Sequence, residues 1–396
     1  MGLALSRFMQ RSWVFRVLPL CVLATLWATS TEAAQLTLAW DPSANAAGYV
    51  VFWGNLPGNY TANLNVGNQT QAQIGGLTDG LPYYFVVRAY NGAGTFSAPS
   101  IEISRRLGVP RASRGDFDGD RKAELTVYRP STGQWIMARS GANYTSPSVY
   151  QWGWPADIPV PGDYDGDSKM DPAVYRPSTQ TWYALLSSTN FISPLIVPWG
   201  ATGDIARPGD YDGDGRIDPT VYRPSTGDWI IRRSSAGYQN WSVYRWGGDA
   251  SDSPIGGDFD GDGINDPAVY RASTGFWYVL RSTSNFSAPH LQQWGVTGDV
   301  PMQGDFDGDG KSDFAVFRPS SGQWLILNSA TSSGSVLQWG SGTDTPVPAD
   351  YDGDGVTDLA VYRPSTGYWY ARKSSTAGAS ALVFQWGTPS DVPVVR

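Results

Sequence analysis

The sequence predicts an all-β protein, a small β-sandwich followed by a β-propeller of six repeat units. Three observations lead there. The pattern Asp-(Phe/Tyr)-Asp-Gly-Asp-x-x-x-(Asp/Glu) recurs six times between Asp116 and Asp358, at steps of 47, 47, 48, 47 and 45 residues. A fixed period of this size means one structural unit made repeatedly. Short alternating apolar runs, with 46 glycines and 28 prolines, mark strands and turns rather than helices. Residues 35–104 share none of the repeat grammar yet carry strand patterns of their own.

Residues 1–34 read as a secretory signal peptide. Arg7, Arg11 and Arg16 precede an apolar run of 12 residues, Val17 to Ala28, and Thr31-Glu-Ala33 offers small residues for cleavage near Ala33/Ala34. The run falls short of the roughly 20 residues a membrane-spanning helix needs. The expectation is an exported protein, secreted or associated with the cell surface. The only cysteine, Cys21, lies in the leader, and its flank, Leu18-Pro-Leu-Cys21, puts a bulky Leu where a lipoprotein signal needs a small residue. The exported chain is therefore expected to fold without disulfides, and something else must staple it.

Residues 35–104 supply a sandwich. Leu36 to Trp40 and Gly48 to Trp53 read as strands, and Ile74 and Leu77 lead to Tyr83-Tyr-Phe-Val-Val-Arg-Ala89. There Tyr83, Phe85, Val87 and Ala89 share one face by the two-residue period. With Trp40-Asp-Pro42, Tyr49, Leu77, Tyr83 as a candidate tyrosine corner and the Ala89-Tyr-Asn91 exit, the segment resembles a fibronectin type III domain. It is short for that family, with little sequence before Leu36 to form a first strand. Residues 105–113 read as a linker, and residues 114–396 as the propeller.

The fullest repeat starts at Trp199: Trp-Gly-Ala-Thr-Gly-Asp204, the acidic cassette Asp210 to Asp218, Thr220-Val-Tyr-Arg223, a Pro-Ser-Thr-Gly turn, Trp229, a variable strand, then Trp246-Gly247. Four short strands per unit suit a propeller blade. Proline and glycine make the turn a hairpin. Arg129, Arg176, Arg223, Arg271, Arg318 and Arg363 each precede that turn, a regularity expected to serve an ion pair or carbonyl contact between neighbouring blades. The first cassette lacks the Trp-Gly lead-in, whereas the chain ends on an orphan copy, Trp386-Gly to Arg396. That tail is expected to complete the first blade and hide its edge, with Val392 to Val395 pairing near residues 112–118.

Four carboxylates at positions one, three, five and nine of a tight loop supply hard oxygen ligands to one centre, as calcium requires. An EF-hand needs a bidentate Glu at position twelve, where the third loop has Val221. The units resemble FG-GAP or VCBS repeats, the calcium-bearing propeller repeats also found in integrin α-subunits, over roughly residues 109–396. The resemblance implies up to six structural calcium ions, each also held by a backbone carbonyl at position seven. The implied side-chain ligands are Asp116, Asp118, Asp120 and Glu124; Asp163, Asp165, Asp167 and Asp171; Asp210, Asp212, Asp214 and Asp218. In the later loops they are Asp258, Asp260, Asp262 and Asp266; Asp305, Asp307, Asp309 and Asp313; Asp350, Asp352, Asp354 and Asp358. Arg121 and Ser168 stand where the later loops have glycine, and Arg121 adds a like charge, so site one is expected to bind most weakly.

The acids also bound the function. Beyond the leader 25 basic and 35 acidic residues remain, and 24 of the acids sit in the cassettes. Six divalent ions would bring the balance to about plus 2, with no sign of a nucleic-acid-binding surface. Asp157, Asp204, Asp299, Asp344, Asp391 and one of Asp249 or Asp252 recur after Trp-Gly. The five acids left over give no non-repeated pair in the propeller for a glycosidase. His290 is the only histidine, so His-based triads and zinc sites lack their parts. Arg114-Gly-Asp116 spells an adhesion tripeptide, but its Asp is the first ligand of site one.

Binding is thus the favoured class: no catalysis, and adhesion or recognition of an extracellular glycan or surface protein. Twelve of the 18 tryptophans repeat. They are expected chiefly as core, or alternatively, with neighbouring tyrosines, as sugar-stacking pockets at Trp182, Tyr183, Trp277, Tyr278, Trp369 and Tyr370. The competing readings are a structural display module and a secreted polysaccharide-active hydrolase or lyase with an accessory sandwich.

Overall fold

The computed structural model describes residues 34–395 apart from 41, 44–45, 57, 79–80, 101 and 107–111. Residues 1–33 of the expected leader, with Cys21, and most of the expected linker lie outside the described residues. The chain divides after Val109 into two compact units.

In the first unit Ala34–Ala39 pairs with Gln71–Leu77, and a second sheet runs Ala62–Gly67, Gly48–Gly54, Pro82–Tyr90, Ile103–Arg106. The alternation in the Tyr83 run has its expected effect, since Tyr83, Phe85, Val87 and Ala89 meet Leu36, Leu38, Tyr49, Val51 and Ile74 in one core. The Tyr83 hydroxyl accepts the Thr78 N–H at 2.9 Å, the local tie expected of a tyrosine corner. One boundary moves. Arg105 and Arg106, read from sequence as linker, pair with Tyr83 and Pro82, because the edge of the long Pro82–Tyr90 strand needs hydrogen-bond partners there.

The second unit holds six four-stranded antiparallel sheets of identical order. In the third, Ile205–Ala206 pairs with Thr220–Arg223, then Asp228–Arg232, then Trp241–Arg245. Tyr222 lies opposite Trp229, and the two rings pack at 5.5 Å, which anchors the middle of the blade. The same cross-strand aromatic pair recurs in the other five blades with centroids 5.2–5.6 Å apart. Blade two has Thr181–Leu185, blade four Phe276–Leu280 and blade six Tyr368–Arg372 as third strands.

The C-terminal tail completes the first blade. The sheet order is Val392–Pro393, Leu125–Arg129, Gln134–Ala138, Pro147–Gln151. Its partners are Tyr128 and Val127, with the Val394 N–H on the Thr126 carbonyl at 2.8 Å, and not residues 112–118 as expected. The reason is register: in blade three Ile205 opposes Tyr222, and the tail, repeating that segment, takes the equivalent place.

Neighbouring blades are joined by the second set of tryptophans. Trp152 donates its indole N–H to the Tyr183 carbonyl, Trp199 to Ile230, Trp246 to Tyr278, Trp294 to Leu325, Trp339 to Tyr370 and Trp386 to Ile136. The last of these returns from blade six to blade one and closes the ring. Apolar contact follows the same path, with Ala123, Leu125, Val127 and Tyr144 packed against Tyr351, Tyr362 and Trp369.

The repeated arginines were expected between blades, and here the structure differs. Arg129 pairs with Asp391, Arg176 with Asp157, Arg223 with Asp204, Arg271 with Asp252, Arg318 with Asp299 and Arg363 with Asp344, at 2.7–2.8 Å. Each pair lies within one blade, because the Asp precedes or opens the first strand and the Arg ends the second, which is its hydrogen-bonded neighbour. Asp252 is thereby the repeated acid and Asp249 the extra one, 3.9 Å from Arg271.

Glycine is required after each of these tryptophans. Gly295 has φ +116°, and a Cβ there would lie 2.6 Å from the Tyr270 hydroxyl, closer than side chains approach.

Candidate metal centres

Each acidic cassette links the first and second strands of its blade, and its local order comes from its own carboxylates. In the second loop Asp163 Oδ1 accepts the Gly166 N–H at 2.6 Å and Oδ2 the Ser168 N–H at 2.8 Å. The same two bonds, from positions four and six to the first Asp, form in the other five loops. Position six needs a positive φ, and Arg121 and Ser168 adopt it at 71° where the later loops have glycine. Two non-glycine residues therefore sit in a region that L side chains disfavour.

The ninth-position acids are buried and act as crossbraces. Asp171 accepts the Tyr164 N–H from its own loop and the Ser187 N–H from the turn after the third strand, at 2.8 and 2.7 Å. Glu124, Asp218, Asp266, Asp313 and Asp358 make the corresponding pairs. The serine hydroxyls reach back as well, Ser187 to Asp167 and Ser234 to Asp214 at 2.9 Å. These serines, at 140, 187, 234, 282, 329 and 374, lie in what the sequence reading left as a variable segment. Their signal was their spacing, a constant 16 residues after the ninth position.

The loops form a circuit of their own. The N–H of the eighth residue in each loop donates to the carbonyl of the first Asp in the preceding one: Met170 to Asp116, Ile217 to Asp163, Asn265 to Asp210, Ser312 to Asp258, Thr357 to Asp305, and Ala123 to Asp350. All six bonds measure 2.6–2.8 Å.

Carboxylate oxygens converge within 4.8 Å in groups made by Asp116, Asp118, Asp120 and Glu124; Asp163, Asp165 and Asp167; Asp210, Asp212 and Asp218; Asp258, Asp260 and Asp262; and Asp305, Asp307 and Asp313. Loop one, expected to bind most weakly, gathers all four of its acids. Asp171, Asp214, Asp266 and Asp309 stand outside these tight groups. Asp214 is drawn to Arg216 at 2.6 Å.

Such clusters are costly without a cation. Burial, with repulsion from neighbouring carboxylates, raises Asp171 and Asp218 to about 8, and burial does the same to Glu124. Asp266 is raised well above the ordinary carboxylate range for the same reasons, burial first. In loops three and six, Oδ1 of the third-position acids Asp212 and Asp352 is buried without a hydrogen-bond partner. A buried oxygen left so is a position a cation fits. The residues present thus match the hard-oxygen donor set of a divalent ion.

The aromatic candidates divide differently. Trp182, Trp277 and Trp369 are at most 2% exposed, so these three are corrected from sugar-stacking residues to core. They face inward with the second-strand tyrosines, and each donates its indole N–H to a backbone carbonyl of its own blade. Tyr183, Tyr278 and Tyr370 are half-buried, with Arg176, Arg271 and Arg363 seated over their rings at 4.5–4.8 Å. His290 stacks on Phe314 at 5.7 Å, and burial lowers its pKa. Asp116 of the adhesion tripeptide is buried.

Comparison with known proteins agrees with this organisation. Residues 305–361, spanning the last two cassettes, match the family model for an FG-GAP-like repeat, and residues 25–105 that for a fibronectin type III domain. The chain therefore carries both modules. Over 97 residues it is 38% identical to a Kelch domain-containing protein of Saccharolobus solfataricus, a match covering 24% of this chain and 13% of that protein's length. Similar solved structures include a DUF4784 family protein from Bacteroides caccae, 10% identical at a TM-score of 0.39, covering 89% of this chain and 92% of that one. Another is an auxiliary nutrient binding protein from Bacteroides ovatus, 10% identical at 0.36, covering 86% and 92%. Among the described residues no helix is long and apolar enough to cross a membrane.

Proposed function

We propose that the protein is an exported, calcium-braced β-propeller that recognises an extracellular ligand, a carbohydrate in the first instance, without catalysing a reaction on it. The observation that carries the metal half of this reading is the pair of buried, unpartnered oxygens on the third-position acids Asp212 and Asp352, the former in a convergent group with Asp210 and Asp218. Calcium would supply positive charge at each loop, held by the carboxylates of positions one, three, five and nine. The chain's own part is to fix those oxygens through backbone N–H groups and the turn serines before the ion arrives. Binding only the folded state, the ions would stabilise it, in a chain whose exported part has no cysteine to form disulfides.

The recognition half is supported by the placement of the acids. The cassette carboxylates face the metal loops, and the six acids after Trp-Gly are taken up by arginines, which favours binding over acid–base chemistry. A glycan array probed with the calcium-loaded chain, alongside melting curves with and without chelator, tests both halves. Binding to no glycan would overturn the carbohydrate reading, and a melting curve indifferent to chelation would overturn the metal reading.

A further inference from the structure

We infer a carbohydrate-stacking site on Trp154, at the junction of the first and second blades, for the apolar face of a neutral pyranose. The inference rests on the carbohydrate reading above and gives it a place. Trp154 follows Trp152-Gly153, where the other junctions carry Ala201, Gly248, Val296, Ser341 and Thr388. Only here does the repeat put a large aromatic ring at this position, and the ring is 64% exposed. Exposing an indole forgoes the burial such a ring ordinarily gains.

The ring is nevertheless held firmly. Its backbone N–H donates to Asp157 at 2.8 Å and its carbonyl accepts the Tyr128 hydroxyl at 2.8 Å. The Arg176 guanidinium lies over the indole at 3.8 Å and over Tyr183 at 4.5 Å, so one cation is shared by the two rings. Asp157 grips the same guanidinium with two bonds of 2.9 and 2.8 Å, which fixes it in place and offsets its charge. One face of the indole is thereby covered and supported, while the other is open.

The chemistry of the surroundings selects the ligand. Arg176 is engaged by Asp157, so its charge is not free for an acidic sugar. The hairpin bearing exposed Ser131 and Thr132 lies against the Gly153–Trp154 backbone; the Thr132 hydroxyl donates to Gln134 Oε1 at 3.0 Å and keeps its lone pairs for a sugar hydroxyl. A flat apolar platform beside neutral hydroxyls matches a sugar with C–H bonds on one face and hydroxyls around its rim. The sugar-stacking site expected at Trp182 and Tyr183 is thus displaced outward to Trp154, with Tyr183 as a supporting layer.

The test is an array of neutral oligosaccharides (gluco-, xylo-, manno-, galacto- and N-acetylglucosamine hexamers) plus oligogalacturonate, probed with the full chain and with Trp154→Ala, Trp154→Phe and Trp241→Ala. Trp241, the other strongly exposed tryptophan among the described residues at 58%, is the comparator. Wild-type binding to a neutral hexamer that weakens roughly tenfold or more in Trp154→Ala, persists in Trp154→Phe and is unaffected in Trp241→Ala supports the site, given the weight single tryptophans carry in binding. An unchanged Trp154→Ala, or loss in Trp241→Ala alone, overturns the site and leaves the carbohydrate reading standing. Binding to oligogalacturonate only does the same. Absence of wild-type binding overturns both. Unchanged melting temperatures establish that each variant is folded.

Discussion

The indole N–H of Trp386, ten residues before the last residue of the sequence, donates to the carbonyl of Ile136 in the first blade at 3.2 Å. Five residues after Trp386, Asp391 receives two hydrogen bonds from Arg129, 2.7 and 2.8 Å long. The tail thus joins the first blade by an aromatic donor, a bidentate ion pair and a short strand.

Removing one side of that ion pair should loosen the closure. Burial raises the Asp391 carboxyl, but hydrogen bonds from Arg129 and from the Thr388 N–H outweigh it and hold the pKa below the ordinary value. Arg129→Ala leaves that carboxylate without its charged donor, and a loss of about 1.5–3 kcal/mol is expected. Urea unfolding monitored by tryptophan fluorescence measures it. A midpoint equal to wild type would mean that the tail does not bear on stability.

Chelation should destabilise the propeller, and more so at alkaline than at acid pH. In the ion-free loops Asp171, Asp218 and Glu124 have raised pKa values of about 8. Between roughly pH 4 and 8 the folded state then binds more protons than the unfolded state, so ion-free stability falls as pH rises through that window. Calcium removes this slope by favouring the ionised acids. Melting temperatures at pH 5 and pH 8, with calcium and with chelator, should diverge most at pH 8. A gap equal at both pH values would contradict the account.

The turn serines offer a third measurement. Ser187→Ala removes the hydroxyl bond to Asp167 but leaves the backbone N–H on Asp171 in place. A cost of about 0.5–1.5 kcal/mol is expected, together with weaker calcium binding at loop two by titration calorimetry. Unaltered calcium binding would confine the serine to a structural role.

Tyr270 and Tyr175 should respond oppositely to the loss of their hydroxyls. Tyr270 donates to the Val296 carbonyl at 3.0 Å, whereas the buried Tyr175 hydroxyl has no partner, and blade five carries Phe317 at this place. Tyr270→Phe should cost about 1 kcal/mol, while Tyr175→Phe should be neutral or stabilising. Equal losses in both would show that the two sites are alike in solution.

The Trp-Gly junction supplies the last expectation. Gly295→Ala forces a side chain into φ +116° and against the Tyr270 hydroxyl, and about 1–3 kcal/mol should be lost from backbone strain alone. A thermal melt within error of wild type would rule this out.

Much of this architecture was legible because it repeats. The cassettes gave the period, the period gave six blades, and the orphan Trp386 segment gave closure. What escaped the sequence was direction and depth. A regular arginine signals a partner, but only the strand order shows that Arg176 meets Asp157 in its own blade. Trp182 and Tyr183 are adjacent, and alternation sends one ring into the core and leaves the other half-covered. Ser187 was hidden by its ordinariness, since a small polar residue in a variable segment attracts notice only when measured from Asp171. Arg105 and Arg106 read as linker, though their backbone completes a sheet.

The bonds between successive acidic loops have a consequence for how the molecule comes apart. A stack of repeats in a line frays from its ends, because an end unit has one neighbour. Here the Ala123 N–H on the Asp350 carbonyl makes the line a circle, so every unit has two neighbours and none is terminal. Disturbing one loop therefore strains the units on both sides, and opening is expected to proceed as a single event rather than by peeling.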